Sequence, residues 1–212
     1  RGADPNIKNE RGKTPLLQAL VAGAIHNAGL LAKLPGIDLA PVAADIHSFT
    51  DTKGNTILHQ CIKTYELELF FLLLHSAPSF EINAQNNKGR TLLHLAAKKD
   101  LVECFKPLVE RGADASIIDS DSNTPYDIAL QYSAMRIFVP LYHHISDSRK
   151  KEKALAHRDK NGRTLLHQAV TANAIDSVAL LLEIKMDPNL AIAADSDYED
   201  DGTPLHIGKL LF

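Results

Sequence analysis

The sequence lacks several features that mark particular protein classes. Its 212 residues include two cysteines and no tryptophan, and the longest uninterrupted apolar run, Leu69–Leu74, has six residues. Two cysteines cannot build a disulfide framework, so the composition predicts a reducing, intracellular and cytoplasmic location. A run of six residues is far shorter than the roughly 20 that a membrane-spanning helix needs. We therefore expect no membrane span.

A large excess of charge of either sign is also missing. The 23 Lys and Arg residues against 26 Asp and Glu residues give a formal net charge of −3. Aromatic side chains interleaved with basic ones are typical of proteins that bind single-stranded nucleic acid, but this chain has only five tyrosines. We therefore expect no nucleic-acid partner.

A recurring motif is the strongest feature that is present. A turn residue, then Thr, then apolar residues, often with His three places after the Thr, occurs six times. Arg-Gly-Ala-Asp also recurs, at Arg1–Asp4 and at Arg111–Asp114. The motif threonines are spaced by 42, 35, 33, 40 and 39 residues, and they are Thr14, Thr56, Thr91, Thr124, Thr164 and Thr203. A period near 33 residues indicates an array of small repeated units.

With both motifs in phase, the chain resembles ankyrin repeats, over nearly its whole length. The resemblance implies an all-α solenoid of stacked helix-turn-helix pairs with short hairpin tips. Incomplete units at both ends lead us to expect a fragment of a longer protein, and the irregular repeat lengths suggest a secreted ankyrin effector of an intracellular bacterium. We predict a single domain over 1–212, divided into 1–8 (tail of a preceding repeat), 9–50, 51–86, 87–119, 120–158, 159–197 and 198–212 (partial repeat).

Local chemistry supports helix pairs independently of the resemblance. A Thr hydroxyl can cap an unpaired N–H at a helix start, and Pro is well tolerated at the first helical position, as in Thr14-Pro15 and Thr124-Pro125. Gly112 stands where a helix end favours a left-handed residue. Leucine-rich second helices are predicted at Glu66–His75, Leu101–Glu110, Ala134–His144 and Ala174–Glu183.

Histidine and cysteine are the residues that could carry chemistry, and we interpret both as structural. The resemblance implies that His59, His94, His167 and His206 tie neighbouring hairpin turns together. Cys61 and Cys104 occupy positions typical of small buried side chains. His143 and His144 lack a Cys or carboxylate that would complete a zinc site. No phosphate loop, HExxH or GxSxG motif is present. We predict a non-catalytic region with no cofactor and no metal.

The resemblance also implies which residues bind a partner. In ankyrin arrays the hairpin tips and the exposed side of each first helix line a concave face. Here those positions predict a basic, protein-binding strip made of Arg11, Lys13, Lys53, Lys63, Lys88, Arg90, Lys98 and Lys99. Its complement would be an acidic peptide or protein surface, bound by a monomer. Two alternatives stay open: a merely solvated face, and a substrate-recruiting region of a larger enzyme. Three insertions, Ile37–Ser48, 146–158 and 195–201, are further candidates for contacts.

Overall fold

The computed structural model describes residues 4–45, 49–76, 80–145, 155, 158 and 161–184. Within these residues the regular structure is helical, and extended pairing is confined to two isolated bridges, Thr50 with Thr56 and Arg158 with Thr164. The predicted all-α fold is confirmed. Predictions about His206, the acidic insertion 195–201, the last partial repeat 198–212 and most of the basic insertion 146–158 lie outside the described residues.

The chain divides into two compact units, residues 1–95 and 96–212. The first unit contains α1 (Pro15–Val21), α2 (Ile25–Ala32), α3 (Ala40–Asp45), α4 (Ile57–Thr64) and α5 (Leu67–Ser76), and α6 (Leu92–Lys98) includes the division point. The second unit continues with α7 (Val102–Glu110), α8 (Pro125–Gln131), α9 (Met135–His144), α10 (Leu165–Thr171) and α11 (Ile175–Glu183). The boundaries of the individual repeats remain a prediction.

Helices pack in successive pairs within each unit. In the first unit α1 packs on α2 and α4 on α5, and α2 contacts both members of the next pair. In the second unit α8 packs on α9 and α10 on α11, and α9 contacts both α7 and α11. Each pair therefore buries the face that its neighbour leaves open, as expected for an array of repeated units.

The first five motif threonines directly precede first helices, as predicted. Thr14 Oγ1 accepts a hydrogen bond from Leu17 N at 3.3 Å, and Pro15 occupies the first turn. Thr124 forms a reciprocal capping box, because its hydroxyl accepts from Asp127 N while the Asp127 carboxylate accepts from Thr124 N at 2.8 Å. Side-chain caps of this kind stabilise a helix by about 1 kcal/mol.

A left-handed residue nine places after each of the first five motif threonines connects the first helix to the second. These residues have φ between 50° and 70°, and they are Gly23, Tyr65, Asp100, Ser133 and Asn173. The following N–H donates back to the carbonyl five residues earlier, for example Glu66 N to Cys61 O at 3.0 Å and Ala134 N to Ala129 O at 2.8 Å. This is the closure of a Schellman motif, and it makes all five turns alike.

The core consists of apolar residues from both helices of each pair, mainly leucine and isoleucine, together with small residues such as Ala96 and Ala129 in the first helices. Cys61 and Cys104 are fully buried, as predicted, and burial raises the pKa of each thiol to about 12. The insertion at Ile37–Ser48 contributes a helix, α3, that sequence analysis did not predict. It contacts α1 and α5, and its Val42 is fully buried, so this part of the insertion is built into the first unit.

Candidate protein-binding surface

Each of the first four hairpin tips is organised by an Asn or Asp five residues before the motif threonine. Its side-chain oxygen accepts two backbone N–H groups, from the residues two and four places later. Asn9 Oδ1 accepts from Arg11 N at 2.9 Å and Lys13 N at 3.0 Å. The same arrangement recurs at Asp51 with Lys53 and Asn55, Asn86 with Lys88 and Arg90, and Asp119 with Asp121 and Asn123.

Backbone hydrogen bonds close the same turns. The N–H of the Asn or Asp donates to the carbonyl four residues later, for example Asp51 N to Asn55 O at 3.0 Å. The residue two places before the threonine has a positive φ, and it is Gly12, Gly54, Gly89 or Ser122. Local contacts thus fix each tip, and the residue three places before the threonine is exposed in the four tips at Arg11, Lys53, Lys88 and Asp121.

The second and third tips are held directly against each other within the first unit. Asn87 N donates to Lys53 O at 3.0 Å, and Asn86 Nδ2 donates to Asn55 Oδ1 at 2.8 Å. A Cβ on Gly54 would lie 2.9 Å from Asn87 N, so this contact requires glycine. The backbones of Lys53 and Asn87, the residue before Lys88, are therefore in contact.

His59 joins the same two tips from the inside. It is fully buried; its Nδ1 lies 2.7 Å from Thr56 Oγ1 and its Nε2 lies 3.0 Å from Arg90 O. A carbonyl can only accept, so Nε2 carries the proton and Nδ1 accepts from the threonine hydroxyl. Burial lowers the pKa of His59 to about 4, against hydrogen bonding to Arg90, which raises it, so the ring is neutral at pH 7.

The predicted tie between neighbouring turns is present at His59, and the other two described motif histidines are buried against the threonine of their own repeat. His94 and His167 are fully buried, and their Nδ1 atoms lie 2.9 Å from Thr91 Oγ1 and 2.8 Å from Thr164 Oγ1. Within the described residues no three His, Cys, Asp or Glu side chains are grouped so that they could hold a metal ion.

The structure separates the eight predicted binding residues by exposure and by unit. Four side chains are exposed, those of Arg11, Lys53, Lys63 and Lys88. Lys13 is half-buried, as are Lys98 and Lys99, which belong to the second unit.

The expected exposure of Arg90 was wrong, because only 9% of the residue is accessible. It stands immediately before the motif threonine, where its carbonyl accepts from both Asn86 N and His59 Nε2 and its N–H donates to Asn86 Oδ1. The residue at the same place in the second tip, Asn55, is also buried. This place in the turn is therefore buried in the second and third tips.

Some of the predicted cations interact with other side chains. Lys63 Nζ lies 3.7 Å from Asp51 Oδ2. Burial raises the pKa of Asp51, but hydrogen bonds from Asn55 and Lys53 together with the Lys63 charge outweigh it and lower the pKa overall. In the second unit, Lys98 Nζ lies 4.7 Å from the centre of the Tyr132 ring, a cation–π contact.

Comparison with known families matches two parts of the chain. The family model "Ankyrin repeats (many copies)" matches residues 73–129, and the model "Ankyrin repeat" matches residues 161–192. The chain belongs to the ankyrin-repeat family. Ankyrin repeats are general protein–protein interaction modules, so binding to other proteins is the role that membership implies.

Similar proteins are far longer than this ankyrin-repeat chain. It is 30% identical over 131 residues to the target of rapamycin complex 2 subunit AVO2 of Saccharomyces cerevisiae, a match that covers 61% of this chain and 29% of the yeast protein. It is 28% identical over 192 residues to neurogenic locus notch homolog protein 1 of Xenopus laevis, and 27% identical over 186 residues to the human protein of that name. Each Notch match covers 85% of this chain and 7% of the relative.

Sequence analysis missed the residues that fix the ankyrin tips, although their signal is present. An Asn or Asp stands five places before the first five motif threonines, at Asn9, Asp51, Asn86, Asp119 and Asp159. Asx side chains accept backbone N–H groups in tight turns, so this regular spacing indicates a tip residue.

Within the described residues, no helix is both long and apolar enough to cross a membrane.

Proposed function

We propose that this chain is a non-catalytic scaffold that binds an acidic segment of a protein partner on the basic strip of its first unit. The basic strip consists of Arg11, Lys13, Lys53, Lys63 and Lys88. The observation that supports it most directly is that Arg11, Lys53 and Lys88 occupy the same exposed place in three successive tips. Arg90 is left out because it is buried, and Lys98 and Lys99 are proposed as partner contacts of the second unit by itself.

The construction of the tips suits rigid recognition. The Asn or Asp of each tip fixes the backbone beside the exposed cation, so little loop entropy is lost when a partner binds. Exposed cations mainly accelerate encounter with an acidic partner, and their effect is screened by salt over about 10 Å at 0.1 M ionic strength. We therefore propose an association rate that falls as salt is added.

Two acids of this unit are held against α2 and the residue that follows it. Glu66 Oε1 lies 2.5 Å from His26 Nδ1, and Glu68 Oε2 lies 2.7 Å from Lys33 Nζ. These contacts hold both carboxylates at the second helices, whereas the basic strip lies on the tips and at the end of α4.

The test combines peptide selection with charge reversal. A phage-displayed library of random peptides about 12 residues long is selected on the wild-type protein and on a variant with Arg11, Lys53 and Lys88 changed to Glu. Wild type should enrich Asp and Glu, and the variant should bind the selected peptides on the order of tenfold more weakly, mainly through slower association. The melting temperature should stay nearly unchanged, because the tip backbone supplies the structural contacts.

A matched control reverses three exposed cations outside the strip, Lys8, Lys106 and Arg136, and so changes the net charge equally. It should retain most of the wild-type affinity. Equal losses in both variants would show that binding follows total charge, and unchanged binding in the strip variant would place the partner elsewhere. Either result would contradict the proposal.

A second candidate function follows from the length of the relatives. The chain spans 29% of the yeast relative and 7% of the Notch relatives. We propose as the alternative that it recruits a substrate for a larger enzyme or bacterial effector whose catalytic domain lies outside these residues. Both functions agree with an intracellular monomer whose cysteines, Cys61 and Cys104, are free thiols. Deleting these residues from the full-length protein would separate them: kcat on a small model substrate would persist while turnover of the protein substrate falls.

A further inference from the structure

One face of α11 is apolar and accessible to solvent. Ile175 is 72% exposed and Leu182 is 43% exposed, and both belong to this helix. Between them, Ala179 is exposed and Val178 is half-buried. Residues at positions i, i+3, i+4 and i+7 lie on the same side of a helix, so these four side chains form one apolar stripe. We call it the α11 stripe.

The equivalent place in α9 is covered by the next helix pair. Met135 stands 11 places after its motif threonine, as Ile175 does, and it is fully buried. The Ser177 hydroxyl of α11 donates to Met135 O, so α11 is the helix that lies against this part of α9. Within the described residues the α11 stripe is open, and the apolar area that covering it would remove from water is still available for binding.

Polar residues beside the corresponding face of α2 contact the next second helix. In the first unit, His26 and Lys33 stand 12 and 19 places after Thr14. His26 Nδ1 lies 2.5 Å from Glu66 Oε1, and Lys33 Nζ lies 2.7 Å from Glu68 Oε2, at the beginning of α5. These two places in a helix pair therefore contact two carboxylates, two residues apart, on the second helix of the pair that follows.

The same two places in the pair that contains α11 carry acids instead. Asp176 and Glu183 stand 12 and 19 places after Thr164, and both are exposed. They directly follow Ile175 and Leu182, so they lie along one edge of the α11 stripe. The first pair presents an imidazole and an ammonium group to carboxylates, whereas α11 presents carboxylates. The complement of this face is therefore apolar in the middle and basic at one edge.

We propose that the α11 stripe binds an amphipathic helix of a protein partner that carries two cations, two residues apart, beside its own apolar residues. The cations contact Asp176 and Glu183, and the apolar side chains cover Ile175 and Leu182. Docking of an amphipathic helix through anchors at i, i+3, i+4 and i+7 is a recurrent mode of recognition. The proposal goes beyond the basic strip, because it concerns the other unit and a partner of the opposite charge.

The probe is a pair of alanine-based helical peptides of about 18 residues, a length at which such helices form in water. Both peptides carry leucines at i, i+3, i+4 and i+7. One has two lysines, two residues apart, along an edge of the leucine stripe, and the other has two glutamates there. Fluorescence anisotropy of labelled peptides measures both affinities. Wild type should bind the lysine peptide about tenfold more tightly, since each exposed ion pair contributes up to about fivefold.

Variants of the protein identify the surface. Asp176→Lys combined with Glu183→Lys should invert the preference, so that the glutamate peptide binds more tightly. Leu182→Asp should weaken the binding of both peptides about tenfold, with a melting temperature close to that of wild type. The matched control combines Glu10→Lys with Glu81→Lys, two exposed carboxylates of the first unit. It changes the net charge equally and should keep the wild-type preference.

Three results with the peptides would overturn the proposal. They are the absence of binding to wild type, equal affinity of wild type for the two peptides, and a preference that the double reversal on α11 leaves unchanged. Charge reversal of the basic strip should not alter the binding of either peptide to wild-type α11. The basic strip and the α11 stripe can therefore be refuted separately.

Two other occupants of the stripe give distinct results, and either would also overturn the proposal. If the lysine peptide binds only after Leu210 and Leu211 are changed to Asp, residues 203–212 of the chain itself occupy the stripe. If sedimentation equilibrium shows a dimer of wild type that Leu182→Asp abolishes, the occupant is a second copy of the chain.

Discussion

Replacing His59 with Ala tests the connection between the second and third tips. The imidazole is fully buried, donates to Arg90 O at 3.0 Å and accepts from Thr56 Oγ1 at 2.7 Å. His59→Ala removes the hydrogen-bond partner of both Arg90 O and Thr56 Oγ1. A buried polar group that loses its hydrogen bond lowers the free energy of unfolding by about 1–3 kcal/mol. The cavity adds to this loss. We therefore expect the free energy of unfolding to fall by about 2–4 kcal/mol at neutral pH.

The dependence of this loss on pH identifies its cause. The pKa of His59 falls from 6.5 in the unfolded chain to about 4 in the folded one, because burial penalises the charged ring. The unfolded state therefore binds more protons between these two values. The stability that the neutral ring contributes is fully present above pH 6.5 and is lost as the pH falls toward about 4. The pKa difference corresponds to about 3 kcal/mol.

The assay is urea unfolding of wild type and His59→Ala, followed by far-UV circular dichroism at about pH 7.5 and about pH 4.5. The difference between the two proteins should shrink by about 2–3 kcal/mol at the lower pH. Contributions from the other histidines cancel, since both proteins contain them. Exposed His26 provides the control, and His26→Ala should cost less than about 1 kcal/mol. An equal difference between wild type and His59→Ala at both pH values would refute a buried neutral ring.

Two further predictions concern the cap at Asp100 and the two cysteines. Asp100 Oδ1 accepts a hydrogen bond from Ile137 N at 2.9 Å. Asp100→Ala removes this acceptor and should lower the free energy of unfolding by about 1–3 kcal/mol. Asp100→Asn keeps an acceptor and a residue suited to the φ of 54° at this position. Burial raises the pKa of Asp100 despite its hydrogen bonds, so ionisation opposes folding, and Asp100→Asn should gain stability relative to wild type as pH rises from about 4 to 7 in urea unfolding. Cys61 and Cys104 should react with a thiol reagent only as the protein unfolds, and rapid labelling of both in the native state would contradict their burial.

The helices could be predicted because their signals are local. The predicted second helix Ala134–His144 is found at Met135–His144, and Leu101–Glu110 is found at Val102–Glu110. Each prediction begins one residue early, on the N-cap residue. Thr caps, leucine spacing and the Gly112 turn, which has φ 83°, all act within a few residues of each other, so the sequence alone contains them.

Features that depend on a neighbouring repeat could not be predicted in the same way. Arg90 is a basic residue in a turn, and it is buried where its carbonyl accepts a hydrogen bond from His59 of the preceding repeat. Helix α3 has six residues and depends on contacts with α1 and α5, since so short a helix is unstable alone. The motif spacing indicates which basic residues stand at the tips, whereas the exposure of each side chain depends on how the tips and helices pack.

Because the tip backbone is held independently of the exposed side chain, the shape of a tip can stay the same while its binding specificity changes. One Asn or Asp per tip, acting on backbone N–H groups, holds the turn whatever side chain stands three places before the threonine. That place carries Arg11, Lys53 and Lys88 in three tips and Asp121 in a fourth, and the turn geometry is the same in all of them. Evolution can therefore substitute these exposed residues one at a time and change the binding partner without changing the fold. The same four places are where a protein engineer would randomise the chain to obtain new binders.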